Sequence, residues 1–348
     1  MKILLTGGAG FIGSNLVRFL LAHRQDVELI NLDLLTYAGN LENLEAVEDD
    51  PRHRFVQGDI ADHDLVRELV EGVDAVINLA AESHVDRSVV SAAPFVRTNI
   101  TGTFVLLEAA LEAGVDRFVQ VSTDEVYGEL PWSDPTCGEA GPRFTEETPL
   151  SPRSPYSATK AAADLLALSY HTTHGLGVIV TRCSNNYGPY QFPEKLIPLM
   201  VTNALEGGAL PVYGDGLNVR DWIHVEDHCR GIDLALDRGR PGRVYNFGGD
   251  AERTNLQVVQ AIIDAVGADP ALIRFVTDRP GHDRRYAIEF ERAREELGWE
   301  PRVGFEAALR ETVEWYRTHE GWWRRVRSGE YRRYYETMYG EGGRYESG

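Results

Sequence analysis

The chain has 348 residues, 43% hydrophobic and 26% charged, enough for one large core or two smaller ones in an ordinary soluble globular protein. A net charge of −19 argues against nucleic acid or an anionic membrane surface as a partner, and any anionic ligand would need a local cationic pocket. Cys137, Cys183 and Cys229 lie far apart, so neither a disulfide framework nor a metal-spaced pair is expected, which fits a reducing cytoplasm and no metal. The N-terminus enters a strand at once, against a signal peptide, and no apolar run approaches the roughly 20 residues of a membrane span.

Lys2 to Thr6 reads as a short apolar strand, followed by Gly7-Gly8-Ala9-Gly10-Phe11-Ile12-Gly13 and then helical periodicity from Ser14 to His23. A glycine pattern alone is weak. Here it follows a strand, opens a helix, and is followed by a second strand, Val27 to Leu32, that ends in Asp33 about twenty residues beyond Gly13. Glycines let the backbone approach a pyrophosphate at the positive helix end, with Phe11 and Ile12 of the same run as further cofactor candidates. Asp33 can accept hydrogen bonds from a ribose diol and would repel a 2′-phosphate, which favours NAD over NADP. The bland reading is a ligand-free glycine turn with a capping aspartate.

Arg54 to Gln57 is a third strand, ended by Gly58-Asp59-Ile60, where Asp59 meets either an adenine edge or only its own turn. Ala75 to Leu79 is a fourth strand running into Ala80-Ala81-Glu82-Ser83-His84. Ligands in doubly wound sheets bind beyond the carboxyl strand ends. Small Ala80 and Ala81 would admit a cofactor there, with Ser83 and His84 towards the substrate; a lone histidine is equally a structural one. Pro94 to Leu111 is helical, with Thr98 and Asn99 near its start. Phe118 to Val121 is the next strand, and Glu129 to Pro149, rich in Pro, Gly and acids, reads as a surface loop. Alternating strands and helices over 2–182 imply an α/β fold, a doubly wound Rossmann-type parallel sheet.

Two stretches carry proton-transfer groups. Ser122-Thr123-Asp124-Glu125 places hydroxyls and two carboxyls at a strand end, and Tyr156 and Lys160 lie four residues apart on one face of a Ser154–Tyr170 helix. Phenol, ammonium, hydroxyl, acid and base together exceed what a plain alcohol dehydrogenase needs, and suit oxidation of a sugar carbon followed by elimination of water. Adjacent strand side chains face opposite ways, so a turn must bring Asp124 and Glu125 into one site. The plain alternative for the pair is a helix start whose acids favour the dipole.

Val178 to Arg182 is a strand ending in the polar run Cys183 to Tyr190, and Gln191 to Pro198 leads into a short helix. Leu210 to Tyr213 is strand-like. Arg220, in an apolar Val219–Val225 stretch, wants an anion, or else pairs with Asp221 or Asp227. Lys195, Arg220 and Arg279 are the candidates for the cationic pocket. A helix over Phe305–His319 precedes an aromatic, arginine-rich tail with Trp322, Trp323, Arg324, Arg325, Tyr331, Tyr334 and Tyr335, read as a docking helix with a frayed end.

With these residues assembled, the chain resembles the extended short-chain dehydrogenase/reductases, and within them the nucleotide-sugar dehydratases of the NAD-dependent epimerase/dehydratase family, over about residues 1–320. The carriers are the glycine run, Thr36-Tyr37-Ala38-Gly39-Asn40, Ala81 to Ser88, Ser122 to Gly128, Tyr156-Ser157-Ala158-Thr159-Lys160, Asn185 to Pro198 and Arg279 to Asp283. The Thr-Asp-Glu triplet and Phe192-Pro193-Glu194-Lys195-Leu196 are the narrow signals. The resemblance implies a tightly held NAD, dTDP-glucose as substrate, and a homodimer through the Pro94–Leu111 and Tyr156–Tyr170 helices. It carries cofactor contacts onto Leu34, Thr36 and Asn186 besides the residues above. It carries substrate contacts onto Ser83, His84, Thr123, Asn185, Glu194, Lys195, Leu196, Pro211, Tyr213, Arg220, Asn255, Arg279 and His282. Tyr156 would be the base at the C4 hydroxyl, its phenol lowered from about 10 by Lys160 and the oxidised nicotinamide. Glu125 would remove the C5 proton, and Asp124 would protonate the departing C6 hydroxyl before hydride returns to C6. The implied layout is a cofactor domain over 1–184, with segments near 219–250 returning to it, a smaller substrate-binding domain over 185–320, and a tail over 321–348. The long Glu129–Pro149 loop and the tail depart from the pattern. A 4-epimerase would not need the Asp124-Glu125 pair, nor would a silent NAD-sensing regulator; a GDP-mannose or CDP-glucose dehydratase would.

Overall fold

The computed structural model describes residues 1–133, 141–278 and 281–327. Cys137, Arg279, Tyr331, Tyr334 and Tyr335 therefore lie outside the described residues.

Seven strands form one parallel sheet: β1 (Lys2–Thr6), β2 (Glu28–Asp33), β3 (His53–Gln57), β4 (Ala75–Asn78), β5 (Arg117–Thr123), β6 (Val178–Cys183) and, after three strands of other sheets, β10 (Val244–Phe247). Their order is β10-β6-β5-β4-β1-β2-β3, so the winding reverses between β1 and β4, where a crevice opens at the carboxyl ends. Continuous apolar runs such as Ile3-Leu4-Leu5 and Val178-Ile179-Val180 are fully buried, as strands covered on both faces must be. One face carries α1 (Phe11–His23) and the later α8 (Val225–Arg238). The other carries α2 (His63–Val70), α5 (Thr103–Ala113) and α6 (Pro155–His174).

Between β4 and α5 come the short α3 (Val85–Val90), α4 (Ala93–Phe95) and a π-helical stretch, Val96–Gly102, so the expected Pro94–Leu111 helix has a wide turn at its start. Asn99 points inward there, accepting from the Glu82 N–H (2.9 Å) and donating to Thr159 Oγ1 (2.9 Å), so it holds backbone in place and is not part of the cavity wall.

The second lobe contains β7 (Asn185–Tyr187), β9 (Val219–His224) and β11 (Glu252–Thr254) in one small sheet, and β8 (Leu210–Tyr213) paired with β12 (Ile273–Val276). Helices α7 (Leu196–Leu205), α9 (Asn255–Val266) and α10 (Phe305–Thr318) close it around Ile197, Met200, Val258, Ile262, Leu309 and Val313. Within 219–250, α8 and β10 pack on or in the large sheet, whereas β9 belongs to the small one.

Two regions depart from the sequence reading. The segment after His319 is not a frayed tail at its start: α11 (Glu320–Val326) is docked, with Trp322 and Trp323 buried. Trp322 Nε1 donates to Asn43 Oδ1 across the two lobes (2.9 Å) and Trp323 Nε1 to the Tyr316 carbonyl (2.8 Å). Two indoles with partnered N–H groups offset the ordering of a single helical turn or two. The second is the far end of the 129–149 stretch, where Phe144 is buried and bridges Ile288.

Candidate active site

At the reversal point lies a cavity of about 290 Å³. Its cofactor end is built by the turn after β1. Gly7 adopts φ +74, and a Cβ there would stand 2.8 Å from the Ala80 nitrogen; a Cβ on Gly13 would stand 2.1 Å from the Gly7 carbonyl oxygen. No side chain caps α1 and no acid occupies its first turn, which leaves the positive helix end to a ligand. Asp33 ends β2 and is buried; its two oxygens accept from the Ala9 and Leu35 N–H groups (2.9 and 2.8 Å). Burial raises its pKa and those two hydrogen bonds oppose the rise. The donor turn, the acidic acceptor and the glycines that no larger residue could replace all fit a dinucleotide.

Gly7, Gly10, Phe11, Ile12, Gly13, Asp33, Leu34, Thr36, Asp59, Ile60, Ala80, Ala81, Ser83, Thr98 and Asn186 all line this cavity. Asp59 is held by Arg97 (2.6 Å) and its own turn, accepting from the Ala61 N–H (2.8 Å). Among the described residues no group of three or more His, Cys, Asp or Glu could hold a metal.

Thr123, Asp124, Glu125, Tyr156 and Lys160 line the other end. β5 stops at Thr123, whose side chain accepts from the Glu125 N–H (3.3 Å) and starts a 3-10 helix, Asp124–Tyr127. That turn turns both carboxyls to one cavity, as a straight strand could not. Asp124 is raised well above the ordinary aspartate value, by burial first and then by Glu125 and Asp221, while Arg220 and the Thr123 hydroxyl oppose it. Burial thus favours the neutral form of this carboxyl.

α6 starts at a Ser154/Ser157 capping box, which sets the phase that sends Tyr156 and Lys160 to the same wall. Burial drives the Tyr156 phenol well up, with Glu125, Cys183 and Asp124 adding to the rise and the Thr123 hydroxyl opposing it. Lys160 donates to the Val121 carbonyl (2.7 Å), and burial lowers its pKa against Asp164 and Cys183. The protein's own groups thus hold Tyr156 as a phenol.

Of the substrate candidates, Ser83, Asn185, Glu194 and Lys195 line the cavity, with Lys195 donating to the Ser83 carbonyl (2.8 Å). His84 is buried beside it, Nε2 4.0 Å from Glu194 Oε2. Leu196, Pro211 and Asn255 are not among the lining residues; they sit at the start of α7, in β8 and at the start of α9. Tyr213 donates to Asp86 (3.3 Å) and lies edge-on to His282 at 5.8 Å, while His282 Nδ1 is 2.6 Å from Asp278. Arg220 pairs with neither Asp221 nor Asp227: its guanidinium stacks over Tyr286 (4.4 Å) and donates to the Val219 and Asp283 carbonyls. Asp221 instead accepts from Gly249 and Ala251, and Asp227 from Arg302 and Val303.

Cys183 was not among the expected site residues. It stands at the carboxyl end of β6 on the cavity wall, accepts from Asn186 Nδ2 (3.2 Å), and burial first and then Asp124 push its thiol up to about 12. Its strand-end position was the available signal. Asn186 is turned by His228, whose Nδ1 lies 2.9 Å from Asn186 Oδ1; burial lowers His228 to about 3, so the ring is neutral and donates.

A glycine-built dinucleotide end and a Thr-Asp-Glu/Tyr-Lys end in one crevice define an extended short-chain dehydrogenase/reductase. The chain belongs to the family described as GDP-mannose 4,6 dehydratase, which matches residues 4–312. It is 53% identical over 332 residues to a dTDP-glucose 4,6-dehydratase of Streptomyces niveus, covering 94% of this chain and 96% of that protein. It is 48% identical over 354 residues to a dTDP-glucose 4,6-dehydratase of Escherichia coli, covering 95% and 98%. The crystal structure of DesIV, a dTDP-glucose 4,6-dehydratase from Streptomyces venezuelae with NAD and TYD bound, superposes with a TM-score of 0.90 at 53% identity, covering 94% of this chain and all of that one.

Proposed function

We propose that this chain converts dTDP-glucose to dTDP-4-keto-6-deoxyglucose and water with a bound NAD that is not consumed. The observation that carries the reading is the pair Asp124-Glu125, presented by one 3-10 turn to the cavity that Thr123, Tyr156 and Lys160 share. When bound, NAD supplies the hydride acceptor and donor and a positive charge that favours the phenolate. Gly7, Gly10, Gly13 and the first turn of α1 would hold its pyrophosphate, and Asp33 a ribose diol.

The chain's own groups divide the proton work. Thr123 orients the C4 hydroxyl and Tyr156 takes its proton. The resulting ketone acidifies C5–H, and Glu125 removes that proton. Asp124, whose neutral form burial favours, gives its proton to the C6 oxygen and water leaves; Glu125 then returns its proton to C5 as C6 regains the hydride. Each such group typically contributes about 10²–10⁴-fold. Similarity to dTDP-glucose dehydratases supports the thymidine nucleotide. An epimerase would leave Asp124 and Glu125 without work, as would a silent NAD sensor.

We also infer a homodimer through the 96–113 segment and α6. Val96, Phe104 and Leu165 expose 46%, 37% and 59% of their surface on these packed elements. The setting is read as cytoplasmic, supported by free, buried Cys183 and Cys229, and the product is read as a precursor for deoxysugar biosynthesis, rhamnose included. No helix among the described residues is long and apolar enough to cross a membrane.

The test is incubation with dTDP-glucose without added cofactor, followed by mass spectrometry. Loss of one water, with deuterium placed at C4 recovered at C6, is expected. Turnover only of a GDP-, CDP- or UDP-sugar would move the assignment to that nucleotide, an unchanged mass with an inverted C4 would make it an epimerase, and inertness towards all of them would overturn it. Light scattering checks the dimer.

A further inference from the structure

Three segments meet at the rim of the cavity between its two ends. The first is the loop after β2, whose Thr36 and Gly39 line the cofactor end. The second is α3, and the third is the 191–195 segment, whose Glu194 and Lys195 line the other end. Arg87 of α3 joins the outer two. Its guanidinium lies over the ring of Tyr37, 3.8 Å from the centroid, while its Nε and Nη2 both lie 3.3 Å from Glu194 Oε2. Phe192 meets the Tyr37 ring edge-on at 5.5 Å.

The Glu194 side chain is 1% exposed. A carboxylate taken so far out of water needs a fixed partner, or it gives up its charge. Burial does push Glu194 up, and Arg87 is the foremost group opposing it, ahead of Lys195. Only a planar guanidinium can place its face on an aromatic ring and its edge on a carboxylate at once; an ammonium cannot. The Tyr37 ring therefore helps to set where Arg87 points, and Arg87 is the foremost of the groups, Lys195 and Tyr37 among them, that keep Glu194 charged.

We propose that Tyr37, Arg87 and Glu194 form a positioning chain that couples the two ends of the cavity. A cofactor seated on the loop after β2 fixes Tyr37, and through Arg87 it fixes the Glu194 carboxylate that receives the hydroxyls of the sugar. The inference rests on the dehydratase reading above. Coupling between two bound ligands is reciprocal, so a sugar engaged by Glu194 must in turn retain the cofactor. The nucleotide alone, which brings no sugar hydroxyl, must do so far less.

The experiment follows loss of NAD from the holoenzyme after dilution, with dTDP-glucose or with dTDP. It is run in a Tyr156→Phe background, so that hydride transfer does not begin. The expected result is loss slowed about tenfold more by dTDP-glucose than by dTDP, within the usual 5–150-fold range of such coupling. That difference should vanish in Arg87→Met and in Tyr37→Leu, and Arg87→Lys should recover less than half of it. Tyr37→Leu keeps an apolar side chain over the Arg87 site and leaves the Arg87–Glu194 ion pair in place, so it supplies the answer if Arg87→Met does not fold. Equal slowing by the two ligands in the Tyr156→Phe parent, or a full difference in the Tyr37 or Arg87 variants, overturns the coupling. Failure of the unmodified enzyme to dehydrate dTDP-glucose would instead overturn the reading on which it rests.

Discussion

Asp164 stands one turn beyond Lys160 on α6, and its Oδ2 lies 2.9 Å from Nε of Arg182, with both side chains almost wholly buried. Lys160 faces Cys183 and the Val121 carbonyl as well, but Asp164 is the foremost group that keeps it charged against burial. The ammonium is present below the Lys160 pKa and lost above it. Asp164→Asn lowers that pKa, so the alkaline limb of kcat/KM should move to lower pH while the acid limb stays. Arg182 loses its ion-pair partner in the same variant, and stability should fall by about 3–5 kcal/mol. A pH–rate profile and a denaturant melt check the two effects separately; an unmoved alkaline limb would remove Asp164 from the description of Lys160.

In the proposed mechanism Asp124 and Glu125 act after C4 is oxidised, so their loss should leave the first half of the reaction. Glu125→Gln is expected to build up reduced cofactor on adding dTDP-glucose, visible as nicotinamide absorbance, while water loss slows by about 10²–10⁴-fold. Tyr156→Phe should show neither absorbance nor product. Full dehydration by Glu125→Gln would take the C5 base role away from Glu125.

Asp221 titrates in a measurable range. It is buried within β9, and burial pushes it up to about 6, against the Ala251 N–H, Arg143 and the Gly249 N–H. Its unfolded value is about 3.9. Between the two the folded state binds the extra proton, so the contribution of Asp221 to stability is greatest below pH about 4 and is lost as pH rises to about 6. The size is roughly 3 kcal/mol, two pKa units at about 1.4 kcal/mol each. Melting temperatures of the native chain and of Asp221→Asn across that window should differ in slope, the variant being flatter. Parallel slopes would contradict the assignment.

Much of this architecture is written in local signals. The β1 strand, its glycine turn and Asp33 are decided by residues within one βαβ unit, and the Tyr156/Lys160 face by the period of one helix. What the sequence hides is posture set by distant partners. Arg220 reads as an anion seeker, yet it stacks on Tyr286 and donates to Asp283, more than sixty residues on. Arg87 looks like a surface charge until Tyr37 and Glu194 close around it from both sides. Cys183 carries no motif; only the end of β6 puts its thiol on the cavity wall.

The same blindness affects the C-terminal indoles, and it leads to a prediction about how the lobes hold together. Trp322 sits in the second-lobe core yet donates to Asn43, which follows β2, and Asn43 in turn donates to the Ala9 carbonyl in the glycine turn (2.9 Å). One side chain thus links the C-terminal helix to the turn that shapes the cofactor end. Trp322→Ala removes a buried ring and leaves Asn43 Oδ1 short of a donor, so a loss of about 3–5 kcal/mol is expected. Trp322→Phe restores most of the apolar contact but not the N–H. If the link to Asn43 matters for the glycine turn, Trp322→Phe should recover stability yet release NAD faster than the native chain. Equal NAD retention in Trp322→Phe and the native chain would leave Trp322 a packing residue only, and the melt together with the NAD off-rate distinguishes the two.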